Sequence, residues 1–228
     1  MTNIYYGPRH NHDLKMFWEK LVPLSKSVIS LHDSIGDYTT RKCPAFMASM
    51  RNMYALPSPV DFVVMRREGD APLVIAGRQV WSQPTLNNDV PYDHIAQALV
   101  DGYFYLFSDK PVDVEQLPPY LHSSNIYGIS GRFDISKWFR SINFSSIVGE
   151  NFFVKRGDPL MYLKFHTTNK IKLHTVQWPD EADRVCKRST AIKEFIPNRP
   201  LSFSYSLFKR AKESDNLLRL ARSNKWKI

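Results

Sequence analysis

The chain has 228 residues, 43% of them hydrophobic and 13% aromatic, with a formal charge of +9. That supply of apolar side chains suits a packed core and excludes disorder over most of the length, and no apolar run approaches a membrane span. A positive excess suits nucleic acid or another acidic surface as a partner, but most of this charge is spread along the chain, so a basic protein with scattered lysines is the better reading outside the tail.

The opening MTNIYYGPRHNHD lacks a charged-then-apolar leader pattern, so secretion is not expected. Asn3 to Asp13 reads as irregular, because Gly7, Pro8 and several Asn and Asp residues break any period. Leu14 to Leu24 fits a short helix or an edge strand, Ser25 to Leu31 is strand-like, and His32 to Thr40 is a polar connection. Pro44 suits a first helical turn, and Phe46, Met47, Met50, Met53 and Tyr54 recur at steps of three and four. They predict an amphipathic helix of about three turns, ended by Pro57 and Pro59. Strands are expected over Val60–Met65 and Pro72–Trp81, the second broken at Gly77-Arg78, with a turn at Glu68-Gly69-Asp70 between them. His94–Leu99 reads as a helical turn, Tyr103–Phe107 as a buried strand, and Lys110–Asn125 as a long surface connection.

In NFFVKRGDPLMYLKFHTTNKIKLH, residues 151–174, Gly157-Asp158-Pro159 cannot continue a ladder, because proline brings no donor, so a bulge or tight bend is expected there. Met161, Leu163 and Phe165 alternate onto one face, and Ile171 and Leu173 resume the alternation. A five-residue loop from His166 to Lys170 then predicts a hairpin with Phe165 opposite Ile171 and Leu163 opposite Leu173, and with His174 pointing away from the core beside Lys164. From Pro179 the chain turns polar. Pro200 opens a helical segment with Leu201, Tyr205, Phe208 and Ala211 in step, and a break is expected at Ser214-Asp215-Asn216. This tail carries the clearest charge cluster: Lys209, Arg210, Lys212, Arg219, Arg222, Lys225 and Lys227.

Frequent short apolar runs separated by prolines and polar turns predict a mainly β fold. The expectation is a β-sandwich or jelly-roll-like core with peripheral helices, covering residues 1–198 with an N-terminal extension. A basic amphipathic C-terminal helical segment follows at 199–228.

Motifs for chemistry are scarce. A facial iron triad needs two imidazoles and a carboxylate on one side of the ion, and no His-x-Asp or His-x-Glu occurs; the nearest candidates are His10, His12 and Asp13, and the adjacent His32-Asp33. Gly128-Ile129-Ser130-Gly131 is one residue short of a nucleophile elbow. Phosphate-cradling glycine motifs are missing. Cys43 and Cys186 form no Cys-x-x-Cys pair, which excludes zinc staples; two buried thiols are expected, with a disulfide as the alternative. Cys43, at the start of the Pro44 helix, is expected to be a buried residue near an N-cap rather than a reactive thiolate. No catalytic residue, metal or cofactor is assigned. In the tail, Trp226 and Phe208 could stack on bases, although Phe208 falls on the apolar stripe.

RKCPAFMASMRNMYALPSPVDF (Arg41–Phe62), ISKWFRSINF and FFVKRGDPLMYLKFHTTNKIKL together resemble segments of uncharacterised proteins encoded by tailed phages. The shared features are a Cys-Pro helix leading to a Ser-Pro-x-Asp strand, and a Lys-Trp-Phe-Arg segment ahead of a Gly-Asp-Pro hairpin. The resemblance covers about half of the chain. It implies a viral context, in the host cytoplasm or the virion, and a β-rich fold, and it carries no reaction. The function expected is that of an accessory or virion-associated binding protein with a protein partner, acting through the basic tail. The alternatives are a jelly-roll metal-dependent oxygenase with an atypical ligand set and a nucleic-acid-binding protein.

Overall fold

The computed structural model describes residues 1–8, 20–35, 42–67, 70–76, 79–80, 95–98, 104–122, 126–127, 131–140, 144–147, 152–195 and 199–225. Two sheets carry most of the core. In the first, β1 (Thr2–Gly7) lies between β15 (Ile171–Thr175), parallel to it, and β8 (Tyr105–Ser108), antiparallel. The second is antiparallel, in the order β11 (Gly131–Asp134), β9 (Asp113–Leu117), β14 (Pro159–His166), β3 (Met53–Pro57), β2 (Val22–Pro23). Pro23 takes the outer edge of that sheet, where a missing donor breaks no ladder. Two further antiparallel sheets run β13 (Phe152–Val154), β4 (Phe62–Arg67), β5 (Asp70–Ala76), β6 (Gln79–Val80), and β10 (Ile126–Tyr127), β12 (Phe144–Ile147), β7 (Ile95–Ala98).

Side-chain alternation sets the layering, because successive residues of a strand face opposite ways. Ile4, Tyr6 and Leu106 of the first sheet meet Leu56, Val114, Met161, Leu163 and Phe165 of the second in one core. The intervening Tyr5, Tyr105 and Phe107 point outward, onto helices α3 (Asp180–Phe195), α4 (Leu201–Arg210) and α5 (Glu213–Ser223). On the far side, Met53, Ala55 and Tyr162 meet α1 (Leu24–Ile35) through Leu24 and Val28, with Phe46 and Met47 of α2 (Pro44–Ser49) against them. The stack is helices, sheet, sheet, helices. The described residues are therefore mixed α and β in open sheets, where the composition predicts a mainly β chain. Helices, in place of further strands, close both outer faces. The sheet core, the peripheral helices and the C-terminal helical segment are all present.

The bend at Gly157-Asp158-Pro159 is where two adjacent strands leave one sheet for another. Pro57 and Pro159 face each other in the β3–β14 ladder, and neither has an N–H to give, so the ladder ends there. Pairing resumes through Gly157 N–H to Ser58 O and Ser58 N–H to Asp158 O, both 2.8 Å, after which β4 and β13 pair in the next sheet. Gly157 takes φ +90°, and Asp158 closes the turn with its carboxylate on the Lys155 N–H at 2.9 Å.

The predicted hairpin has the right faces and the wrong partners. Leu163 and Phe165 are buried, and Ile171 and Leu173 pack on the same core. However, β14 pairs with β3 and β9 while β15 crosses to the other sheet beside β1, so residues 167–170 form a corner between layers. His174 stacks on Tyr5 at 5.2 Å and does not stand beside Lys164.

Other expectations are corrected likewise. Of the stretch Asn3 to Asp13 expected to be irregular, the part up to Gly7 is a buried strand central to its sheet, and residues 9–13 lie outside the described residues. Ser25–Leu31 is helical, because Leu24 and Val28, four apart, dock on β3. The Cys-Pro helix stops at Ser49: Asn52, at φ 57°, turns the chain so that Met53 and Tyr54 begin β3. Cys43 is exposed, Cys186 is buried, and no disulfide joins them. Residues 95–98 are strand β7, not a helical turn. Strand β9 runs through the predicted surface connection. The helical break lies at Ala211-Lys212, ahead of the predicted Ser214-Asp215-Asn216. None of the described helices is long and apolar enough to cross a membrane.

Candidate functional site

The C-terminal helices turn an apolar stripe inward and leave their cations outside. Phe208, Leu217, Leu220 and Ala221 are buried against the first sheet, so the segment packs on its own chain. Lys209 and Arg210 end α4, and Lys212 links it to α5 in the left-handed conformation, φ 52°. For a residue with a Cβ that conformation costs on the order of 1 kcal/mol relative to glycine. All three side chains are exposed and have no ion-pair partner among the described residues. Beside them, Arg188 of α3 reaches the buried Glu213 at 2.8 Å, which fixes α3 against the start of α5 and adds a fourth cation to the surface.

The remaining residues predicted for this surface divide. Arg222 is exposed at the far end of α5, Arg219 is engaged by Glu181 at 3.4 Å and Asn216 at 2.9 Å, and Lys225 lies 6.0 Å from the Tyr5 ring. Lys227 and Trp226 lie outside the described residues. Phe208 is buried and unavailable for stacking on bases. Arg188 was not singled out in the sequence, and its only signal there was membership of a run, Lys187-Arg188, whose helix is weakly apolar.

Several polar groups lie within hydrogen-bond reach of one another and tie elements together. Ser27 Oγ lies 2.9 Å from His122 Nε2, and Tyr162 OH meets His122 Nδ1 while accepting the Leu121 N–H at 3.2 Å. The ring therefore has a hydrogen-bond partner on each nitrogen. Burial holds the His122 pKa below its ordinary value, keeping the ring neutral. This chain pins residues 118–122 onto α1. A second group, Asp134, accepts from Ser136 N–H at 2.9 Å and pairs with Lys137 at 2.7 Å, while its own N–H donates to Tyr205 OH at 2.8 Å, tying β11 to α4. A third is Tyr105 OH donating to Asp183 at 3.0 Å beneath α3, its phenol pKa raised chiefly by burial. Among the described residues no three His, Cys, Asp or Glu side chains are placed to share a metal ion. His10, His12 and Asp13 fall outside those residues, and His32 and Asp33 are consecutive positions of α1.

The Lys-Trp-Phe-Arg motif is likewise structural. Phe139 is fully buried, with ring contacts to Tyr105 at 4.9 Å and Trp178 at 5.1 Å, and Lys137 is the partner of Asp134. Elsewhere, a cavity of about 560 Å³ opens at the end of the second sheet, lined by Arg51, Asn52, Lys164, Phe165, His166, Thr167 and Thr168. No sequence motif marks it as a site. No family model, no curated protein and no solved structure matches this chain.

Proposed function

We propose that this chain is a phage-encoded accessory or virion-associated protein that works by binding an acidic protein partner, in the host cytoplasm or the virion, without catalysis of its own. A sandwich-like layered core is its scaffold, and the α4–α5 turn is its contact surface. The observation that carries the reading is the exposed trio Lys209, Arg210 and Lys212, unpaired among the described residues and held partly by a strained backbone. A lysine in a conformation that favours glycine points to a use for its charge. The viral setting rests on the resemblance of the Cys-Pro, Lys-Trp-Phe-Arg and Gly-Asp-Pro segments to tailed-phage proteins.

The test is binding of the full chain to poly-glutamate across a salt series. Affinity should fall as salt rises, since exposed charges are screened. The triple variant K209E/R210E/K212E should lose about tenfold or more. Lys212→Gly should weaken binding while raising the denaturation midpoint, because it relieves the left-handed strain. Tighter, charge-dependent binding to single-stranded DNA than to poly-glutamate would replace the acidic protein with nucleic acid. Binding unaffected by the triple variant would reject the surface.

A further inference from the structure

The cavity at the end of the second sheet has the composition of an anion site. Lys164 shares a face with Tyr162, which places it on the outer side of the sheet, beyond the cover of α1. Directly opposite it in β9 is Glu115, whose carboxylate is taken by His166 Nε2 at 2.7 Å. Asp113, the next acid on that face, is taken by Arg132 at 2.8 Å. Arg51 and Lys164 line the cavity and have no ion-pair partner among the described residues. Its rim is fixed in advance. Asn52 O accepts the Phe165 N–H at 3.0 Å, and Asn52 Nδ2 donates to Thr167 O at 2.9 Å. Asn52 reaches both by adopting φ 57°, a conformation asparagine tolerates better than most residues. The Thr167 and Thr168 hydroxyls add neutral donors at the same edge.

We propose that this cavity binds a phosphate monoester, with Arg51 gripping two phosphate oxygens, Lys164 supplying a second charge and the threonine hydroxyls completing the shell. A guanidinium fork and an ammonium match a dianion, whereas a single carboxylate would leave one cation uncompensated. At about 560 Å³ the space exceeds what a phosphate alone fills and suits a small phosphorylated molecule. This site is separate from the α4–α5 surface and does not depend on it.

Calorimetric titration of the full chain with inorganic phosphate, glycerol phosphate and a 5′-mononucleotide tests the assignment and separates the sources of the phosphate. Both esters should bind more tightly than inorganic phosphate. Arg51→Ala should weaken each by about tenfold, and Arg51→Lys should restore only part of the loss, because an ammonium cannot grip two oxygens in a plane. Lys164→Gln should weaken binding independently, and nuclear magnetic resonance shifts of the His166 ring on titration should place the ligand in the cavity. The variant K209E/R210E/K212E should titrate like the parent. Absence of binding by all three ligands, equal affinity in the Arg51 and Lys164 variants, or loss of binding in the helix-surface variant instead would each overturn the proposal.

Discussion

Gly7 shows how one missing carbon can decide a packing arrangement. It sits at φ +149°, and a Cβ there would lie 2.1 Å from the Val176 carbonyl oxygen. That carbonyl belongs to a residue whose own N–H is bonded to Tyr6 at 2.8 Å, so the backbone cannot easily withdraw. Gly7→Ala should cost about 3–4 kcal/mol, from a forced clash added to a strained dihedral. Gly157, at φ +90° with open space around it, should lose only about 1 kcal/mol on the same change. Paired urea titrations measure both, and equal losses would refute the clash. His122 makes the second prediction at this scale. Its folded pKa is depressed below the ordinary 6.5, first by burial. The unfolded chain then binds the proton more readily than the native one. The stabilisation is fully present above the unfolded pKa of about 6.5 and is lost as pH falls through the lower folded value. The urea midpoint should therefore drop between about pH 7.5 and pH 5.5. His122→Gln should flatten part of that slope. The residue left belongs to His174, which is depressed by burial, then by Lys225 and Lys172.

For whole elements, the C-terminal helices combine two tasks that the sequence presents as one. Their cations face solvent, while Phe208, Leu217 and Leu220 each bury a side chain worth about 2 kcal/mol. Removing α4 and α5 would therefore cost an amount comparable to the entire stability of an ordinary domain. A chain ending before Pro200 should be insoluble or lack a cooperative melt, measured by circular dichroism, whereas the charge-reversed full chain should melt like the parent. The exposed cations were legible because charge needs no fold to be counted. The cavity was not: Arg51 and Lys164 are distant in sequence and meet only because Met53 pairs with Lys164 at the start of β3. Elements were missed where inward positions are not apolar. In β9 the inward pair is Val114 and Gln116, the latter donating to the Met161 sulfur at 3.7 Å. In α3 the inward stripe is Ala182, Val185, Cys186 and Ser189, too small to raise a hydrophobic signal. Its acidic first turn, Asp180, Glu181 and Asp183, was the cue that did exist, since such charges favour a helix N-terminus. Alternation in β14 and β15 disclosed which faces are apolar, but a strand's pattern does not name its neighbour.

At the scale of the molecule, the chain divides its polar groups by depth. Those between layers hold elements in place: Ser27, His122 and Tyr162 on one side, Tyr105 and Asp183 on the other, Asp134 at the join to α4. Among the described residues, Lys209, Arg210 and Lys212 stand exposed at the helical turn, and Arg51 and Lys164 line the cavity. The placement of β1, bracketed by residues 105–108 and 171–175, has a consequence in time. During synthesis β1 must wait for β15, roughly ten to thirty seconds at ordinary ribosomal rates. Until then one edge of β1, opposite the β8 ladder, has no partner strand. Closing that parallel pair, across a long sequence separation, should be a slow step of folding.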